Sequence, residues 1–274
     1  MTINCNGTLI DLSTPKVMGI LNITPDSFYD GGKYKNEKDI LMQVEKMLLE
    51  GASFIDIGAY SSRPGAAHIS EEEELQRIVP IVQLVTKKFE DIILSIDTFR
   101  SKVAKETITA GAAIVNDISG GNMDKNMFQV IADLQVPYIL MHMQGTPQNM
   151  QHHPSYNNVT TDLISFFAEK LFELRQLHVN DVIIDVGFGF GKTIEHNFQL
   201  LKELSLFKNL DVPILTGVSR KSMLYKTLNT SPKEALNATT VANTIAILNG
   251  TNILRVHDVK EAMEAVKITN MLHQ

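Results

Sequence analysis

Val182-Ile183-Ile184-Asp185 is a short apolar run that ends on a carboxylate and passes at once into Gly187-Phe188-Gly189-Phe190-Gly191-Lys192-Thr193. Three β-branched residues in a row read as a strand buried on both faces, and the spaced glycines read as the loop that leaves it. The same unit recurs. Runs of this kind lie at Val17 to Leu21, Phe54 to Ile57, Ile92 to Ile96, Ile114 to Val115, Tyr138 to Met141, Ile214 to Leu215 and Ile253 to Leu254, with helical spacing between them. They bring the strands to eight, and their starts fall about 34 residues apart, the length of a strand plus a crossover helix. The pattern predicts an α/β fold, a single (β/α)8 TIM barrel rather than an open doubly wound sheet, with a short N-terminal hairpin before about Ser13 closing its bottom. No linker or change of composition divides residues 1–274, so one domain is expected.

Helix starts support the alternation. Ser70 to Glu73 matches a capping box followed by Leu75, Ile78, Val79, Val82 and Val85 on one face, with Pro80 expected to kink the helix. Ser231 to Glu234 offers a second box with proline at the first helical position. Ala235 to Leu254 is uncharged, but its Asn and Thr residues make it too polar to span a membrane, and it reads as a buried helix plus a strand.

The chain has 274 residues, 44% of them hydrophobic and 20% charged, which excludes a disordered or collagen-like protein. A net charge of −6 gives no general attraction to nucleic acid or anionic lipid, so neither is expected as a partner. Cys5 is the single cysteine, which excludes an intrachain disulfide and fits a reducing compartment. With no basic start followed by an apolar stretch, a cytoplasmic location is expected.

Almost every strand runs into a polar residue: Asn22, Asp56, Asp97, Asn116, His142, Asp185, Ser219 and Arg255. In a parallel barrel these ends open onto the face where active sites are built. Asp56, lying just before Gly58, is expected only to anchor the following loop. The glycine loop after Asp185 fails as a Walker motif at Val186 and as a dinucleotide fingerprint at Lys192, leaving a loop with two phenylalanines suited to a flat ring whose polar edge meets the carboxylate. Gly217-Val218-Ser219-Arg220-Lys221 fails as a nucleophile elbow because Lys221 replaces the last glycine. Arg63, Lys221, Arg255 and His257 are expected to form a compact cationic patch for a phosphate-bearing substrate, with Arg220 in a surface salt bridge. His142, His152 and His153 lack a recognised metal-ligand spacing, and His68, His178, His196 and His273 read as surface or helix-end residues.

These motifs have a precedent. Gly19-Ile20-Leu21-Asn22-Ile23-Thr24-Pro25-Asp26-Ser27-Phe28, Ser61-Ser62-Arg63-Pro64-Gly65, Asp185 with Gly187 to Lys192, Ser219-Arg220-Lys221-Ser222 and Arg255-Val256-His257-Asp258-Val259 resemble dihydropteroate synthase, in order and nearly end to end. The resemblance implies a magnesium-dependent transferase of folate biosynthesis, a sulfonamide target. It joins 6-hydroxymethyl-7,8-dihydropterin diphosphate to 4-aminobenzoate on a TIM barrel, commonly as a homodimer. It implies that Asp97, Asn116, Asp185 and Lys221 hold the pterin, with Met141 and Arg255 against its faces. Asn22 would contact the metal, and Ser62, Arg63, Arg255 and His257 would surround the diphosphate. Phe28, Arg63, Pro64, Phe190, Ser219, Lys221 and Ser222 would frame the 4-aminobenzoate. Asp97, Lys221, Arg63, Arg255 and His257 would be the catalytic groups.

Three positions depart from the family pattern. Ser62 stands where threonine is common, Tyr60 follows Ala59 where a glycine-containing pair is common, and Val186 replaces proline and is expected to loosen the loop after it. A pterin-dependent methyltransferase and a non-catalytic pterin-binding protein are the alternatives, and the former needs no diphosphate patch.

Overall fold

The computed structural model describes residues 1–23, 37–61, 68–151 and 154–273. Strands β1 (Thr2–Cys5) and β2 (Thr8–Asp11) form an antiparallel hairpin across Asn6-Gly7, both with positive φ, as a tight two-residue turn requires. The barrel then follows with β3 (Lys16–Asn22), β4 (Phe54–Gly58), β5 (Leu94–Asp97), β6 (Ile114–Asp117), β7 (Tyr138–Met141), β8 (Val182–Asp185), β9 (Ile214–Thr216) and β10 (Ile253–Val256). All eight pair in parallel, and β10 pairs with β3 to close the ring. Helices α1 (Glu37–Leu49), α2 (Glu71–Lys88), α3 (Ser101–Thr109), α4 (Met127–Leu134), α5 (Val159–Gln176), α6 (Ile194–Glu203), α7 (Ser222–Thr227), α8 (Leu236–Leu248) and α9 (Val259–Asn270), with short 3-10 segments at Leu204–Leu210, Pro232–Glu234 and Met271–His273, complete the described elements.

Side chains sort by the two-residue period of a strand. In β8, Val182 and Ile184 pack outward against the helices, whereas Ile183 joins Met18, Phe54, Ile114, Ile139, Leu215 and Ile253 inside the barrel. Ile3, Cys5 and Leu12 of the hairpin segment seal that inner cluster from below, as expected. Burial raises the Cys5 thiol pKa to about 12, with Asp181 adding to the effect, which leaves it an unreactive apolar plug.

Local signals met different outcomes. Ser70 caps α2 by accepting from the Glu73 amide, and the helix continues through Pro80 to Lys88. Ser231 and Glu234 form their reciprocal box, but it opens a single 3-10 turn ahead of α8 instead of one continuous helix. Residues 235–254 are indeed α8 followed by β10. Among the described residues no helix is long and apolar enough to cross a membrane. Ala262, Ala265 and Val266 of α9 cover the barrel, while Ile268 on the same helix stays exposed.

Candidate active site

Two residues beyond an inward-facing apolar residue the next inward position follows, and there the polar residues collect. Asp56 follows Phe54, Asn116 follows Ile114, Asp185 follows Ile183 and Arg255 follows Ile253. The candidate site is therefore the upper layer of the barrel interior, resting on an apolar floor.

Arg255 organises this layer. Its Nε donates to Asp56 Oδ2 at 2.6 Å and its Nη2 to Asp97 Oδ2 at 2.7 Å, and Asn116 Nδ2 donates to the same Asp56 oxygen at 3.0 Å. Asp56 is fully buried. The expectation that it only anchors a loop is thus corrected: it sets the orientation of both Asn116 and Arg255 from inside the barrel. Spacing concealed this, because the partners lie 60 and 199 residues away. Of the expected cationic patch, Arg255 also bonds two carboxylates, Asp56 and Asp97. Burial pushes the Asp97 carboxyl up to about 7, against the pull of Arg255 and with Asp56 adding to the rise. Burial acts to lower the pKa of Arg255, but Asp56 and Asp97 outweigh it and hold the guanidinium firmly protonated.

Asp185 ends β8 with one oxygen committed and one approachable. Its Oδ1 accepts from the Gly187 amide at 2.8 Å. Its Oδ2 faces Gly217, where an added Cβ would stand 3.9 Å from both that oxygen and Arg255 Cβ. The missing side chain at Gly217 leaves room beside the carboxylate. Burial raises the Asp185 pKa, opposed chiefly by Lys221. Gly187 itself is obligatory: its φ is +67°, and a Cβ there would lie 2.0 Å from the carbonyl oxygen of His142.

The β9 to α7 corner presents Ser219, Lys221 and Ser222 together because Arg220 between them is in the left-handed region at φ 55°. Ser219 Oγ and His257 Nδ1 share a 3.0 Å hydrogen bond. Lys221 donates to the Phe188 carbonyl, and its Nζ lies 4.7 Å from the Phe190 ring centroid. Burial lowers the Lys221 pKa to about 8, with Asp185 resisting the shift. Ser222 opens α7. Arg220 is not in a surface salt bridge: its buried guanidinium grips Asp258 at 2.8 and 2.9 Å and also donates to the Pro232 and Lys233 carbonyls, fastening the corner to α9.

Met141 is buried in an apolar cluster at the barrel mouth with Tyr60, Phe99, Ile118 and Met143, against which Phe190 packs. Phe188 instead lies in the outer core, so only one of the two loop phenylalanines borders the site. Val186 is buried, and side chains hold the loop after it at several carbonyls. Asn22 ends β3 in register with Gly58 and, through it, with Asp97. Phe28, Ser62, Arg63 and Pro64 lie outside the described residues, as do His152 and His153. His142 is buried against Lys192, which holds the imidazole neutral: burial and the adjacent amine lower its pKa to about 2.

The pterin binding enzyme family matches residues 18–257. Dihydropteroate synthase of Escherichia coli K12 is 42% identical over 270 residues, covering 98% of this chain and 95% of that protein. A crystal structure of the Yersinia pestis enzyme with a sulfonamide drug complex superposes with a TM-score of 0.96 at 43% identity, covering 100% of this chain and 99% of the other. The chain belongs to the dihydropteroate synthases. It is accordingly a transferase of folate synthesis. The Xanthomonas albilineans synthase in complex with 7,8-dihydropteroate is similar at a TM-score of 0.88 and 32% identity, covering 100% of this chain and 99% of that one.

Two further residues of this synthase had escaped a reading by strand ends. Asp117, next to Asn116, accepts from Ser119, Gly121 and Tyr138 and fixes the loop after β6. Arg100 reaches back to the Ile69 and Ser70 carbonyls and pairs with buried Glu74. Neither carries a motif; both sit beside one.

Proposed function

We propose that the chain condenses 6-hydroxymethyl-7,8-dihydropterin diphosphate with 4-aminobenzoate, releasing 7,8-dihydropteroate and diphosphate, and that residues 1–274 are one domain for this purpose. The observation that carries the reading is the buried carboxylate of Asp185, whose Oδ2 opens beside side-chain-free Gly217 within range of the Lys221 ammonium. A pterin offers adjacent ring N–H and amino donors on one edge, which a single carboxylate accepts together. Asn116, steadied by Asp56, serves the same ring, and Lys221 donates to its acceptor side. Asp97 completes that pocket, with Met141 and Arg255 against the ring faces.

Arg255 uses Nε and Nη2 internally and makes no Nη1 bond among the described residues, which leaves donors for diphosphate oxygens beside His257, with Arg63 and Ser62 as further partners. Magnesium fits this chain through Asn22. Among the described residues no cluster of three His, Cys, Asp or Glu is placed to hold a metal, so a single amide oxygen completed by phosphate oxygens and water suits the ion's habit. When bound, it supplies positive charge to the departing diphosphate. Arg255 and His257 stabilise the same charge as the exocyclic C–O bond breaks, and the dihydropterin ring delocalises the positive charge left behind, so the displacement is dissociative. The 4-aminobenzoate nitrogen then bonds to the methylene carbon and loses a proton, with Phe190, Ser219, Ser222, Phe28 and Pro64 framing its ring. Sulfonamides are expected in that pocket.

A homodimer in the cytoplasm is our reading of the assembly, supported by exposed Val241, Ile245 and Leu248 in one row of α8. Purified protein given the pterin diphosphate, 4-aminobenzoate and magnesium should yield dihydropteroate and diphosphate in equal amounts. Absence of both would leave a non-catalytic pterin binder.

Lys221 supplies a pH test. The ammonium is the donor, so above pH 8 pterin affinity should fall by up to about tenfold per unit as the proton leaves, while Asp97 and Asp185, both raised by burial, govern any change on the acid side. Calorimetry with Lys221→Arg, which stays charged, should remove that basic limb. An unchanged limb would assign it to another group.

A further inference from the structure

Successive carbonyls of the loop after β8 are each held by a donor. Gly187 O accepts from the Phe190 amide at 3.0 Å, Phe188 O from Lys221, Gly189 O from Gln151 at 2.6 Å, Phe190 O from Lys192 at 2.9 Å, and Gly191 O from Tyr156 at 2.7 Å. A glycine-rich segment has little intrinsic preference among conformations, so this set of bonds, more than local propensity, selects the one observed.

Lys192 differs from the other donors. Its side chain is buried, and besides the Phe190 carbonyl it reaches His142 Nδ1 at 3.1 Å and the His142 carbonyl at 3.2 Å. Burial lowers the Lys192 pKa well below its ordinary value, and its three contacts lie on two different loops, one after β7 and one after β8. The His142 ring is itself held edge-on by Phe166 at 4.9 Å, so the far end of the clip is rigid. The near end is the peptide of Phe190, whose ring stands over Lys221.

We propose that Lys192 is a positioning residue: its amine clips the Phe190 peptide to the end of β7 and thereby fixes the Phe190 ring beside Lys221 as the wall of the second-substrate pocket. The proposal rests on the activity assigned above. It accounts for a buried amine where the loop could otherwise close over an apolar side chain.

Lys192→Met keeps the stem and removes all three bonds. It should raise KM for 4-aminobenzoate by about tenfold, the order expected when a binding wall shifts by a fraction of an ångström to an ångström, while kcat changes by less than about twofold. Pterin affinity by calorimetry should change by a smaller factor than KM, because the hydrogen bonds of Asn116 and of Asp185 Oδ1 do not include Lys192, whose amine acts on the Asp185 carboxylate only through its charge. In a Phe190→Ala background the same substitution should add less than about twofold to KM, since its effect passes through that ring. An unchanged KM in the folded variant, or an equal factor in both backgrounds, overturns the proposal. Lys192→Gln, which retains a donating NH2 group, is measured in the same way if Lys192→Met shows no cooperative melt. Should the wild-type protein make no dihydropteroate, the activity assignment fails on its own, and the clip is judged by hydrogen exchange. Amides of residues 188–191 should exchange about tenfold faster in the Met variant, and unchanged exchange rejects the clip.

Discussion

Arg255→Met should cost about 3–5 kcal/mol of stability and abolish turnover, the largest effect expected from one substitution in this protein. Methionine fills most of the arginine stem but leaves Asp56 and Asp97 facing each other with no cation between them. Asp56 is wholly buried and Asp97 partly so, and water cannot take over the lost bonds at Asp56. The pH dependence follows from sign. In the native protein burial already raises the Asp97 pKa, and Arg255 restrains that rise. Without Arg255 the folded pKa climbs further above the unfolded value. The variant therefore binds protons on folding and regains stability as pH falls from about 8 toward 5, a range in which the wild-type protein gains less. Chemical denaturation at both pH values measures this directly. A loss that is the same at both would mean that the two carboxylates are not what Arg255 compensates.

Asp185→Asn should weaken pterin binding by about 5- to 150-fold while the barrel stays folded. An amide keeps one acceptor oxygen and turns an NH2 toward either the Gly187 amide or the ligand, both of which are donors. One donor is then buried without a partner, at about 1–3 kcal/mol. Whichever orientation the amide takes, the ligand or the loop loses a bond. Calorimetry on variant protein with an unchanged thermal midpoint gives the number. Affinity equal to that of the wild type would remove Asp185 from the pterin pocket.

Both predictions depend on neighbours that are remote in the chain, and this marks the limit of what the sequence discloses. The strand runs, their regular spacing and the polar residue at each strand end suffice for the barrel and for the face on which the site lies. Asn116, Asp185 and Arg255 were legible as polar strand-end residues for that reason. Asp56 looked like a turn former because Gly58 follows it closely. Its bonds to Asn116 and Arg255 exist only once β4, β6 and β10 close the same ring. Arg220 looked like a surface cation because nothing nearby in sequence buries it. Asp258, 38 residues on, is brought alongside by the adjacent strand.

The two-residue period of a strand and the repeat of strand plus helix are local regularities, carried by consecutive side chains, so the sequence by itself determined the (β/α)8 architecture and the polar residues at its strand ends. Charge is different. Whether a carboxylate is a free ligand group, a clamp on an arginine or a partly protonated acid depends on which charges stand within a few ångströms and on how much water is excluded. Those distances are set across the barrel. Only the tertiary structure decided that Arg255 is shared between Asp56 and Asp97, that Phe190 borders the site while Phe188 fills the core, and that Lys192 joins two loops from a buried position.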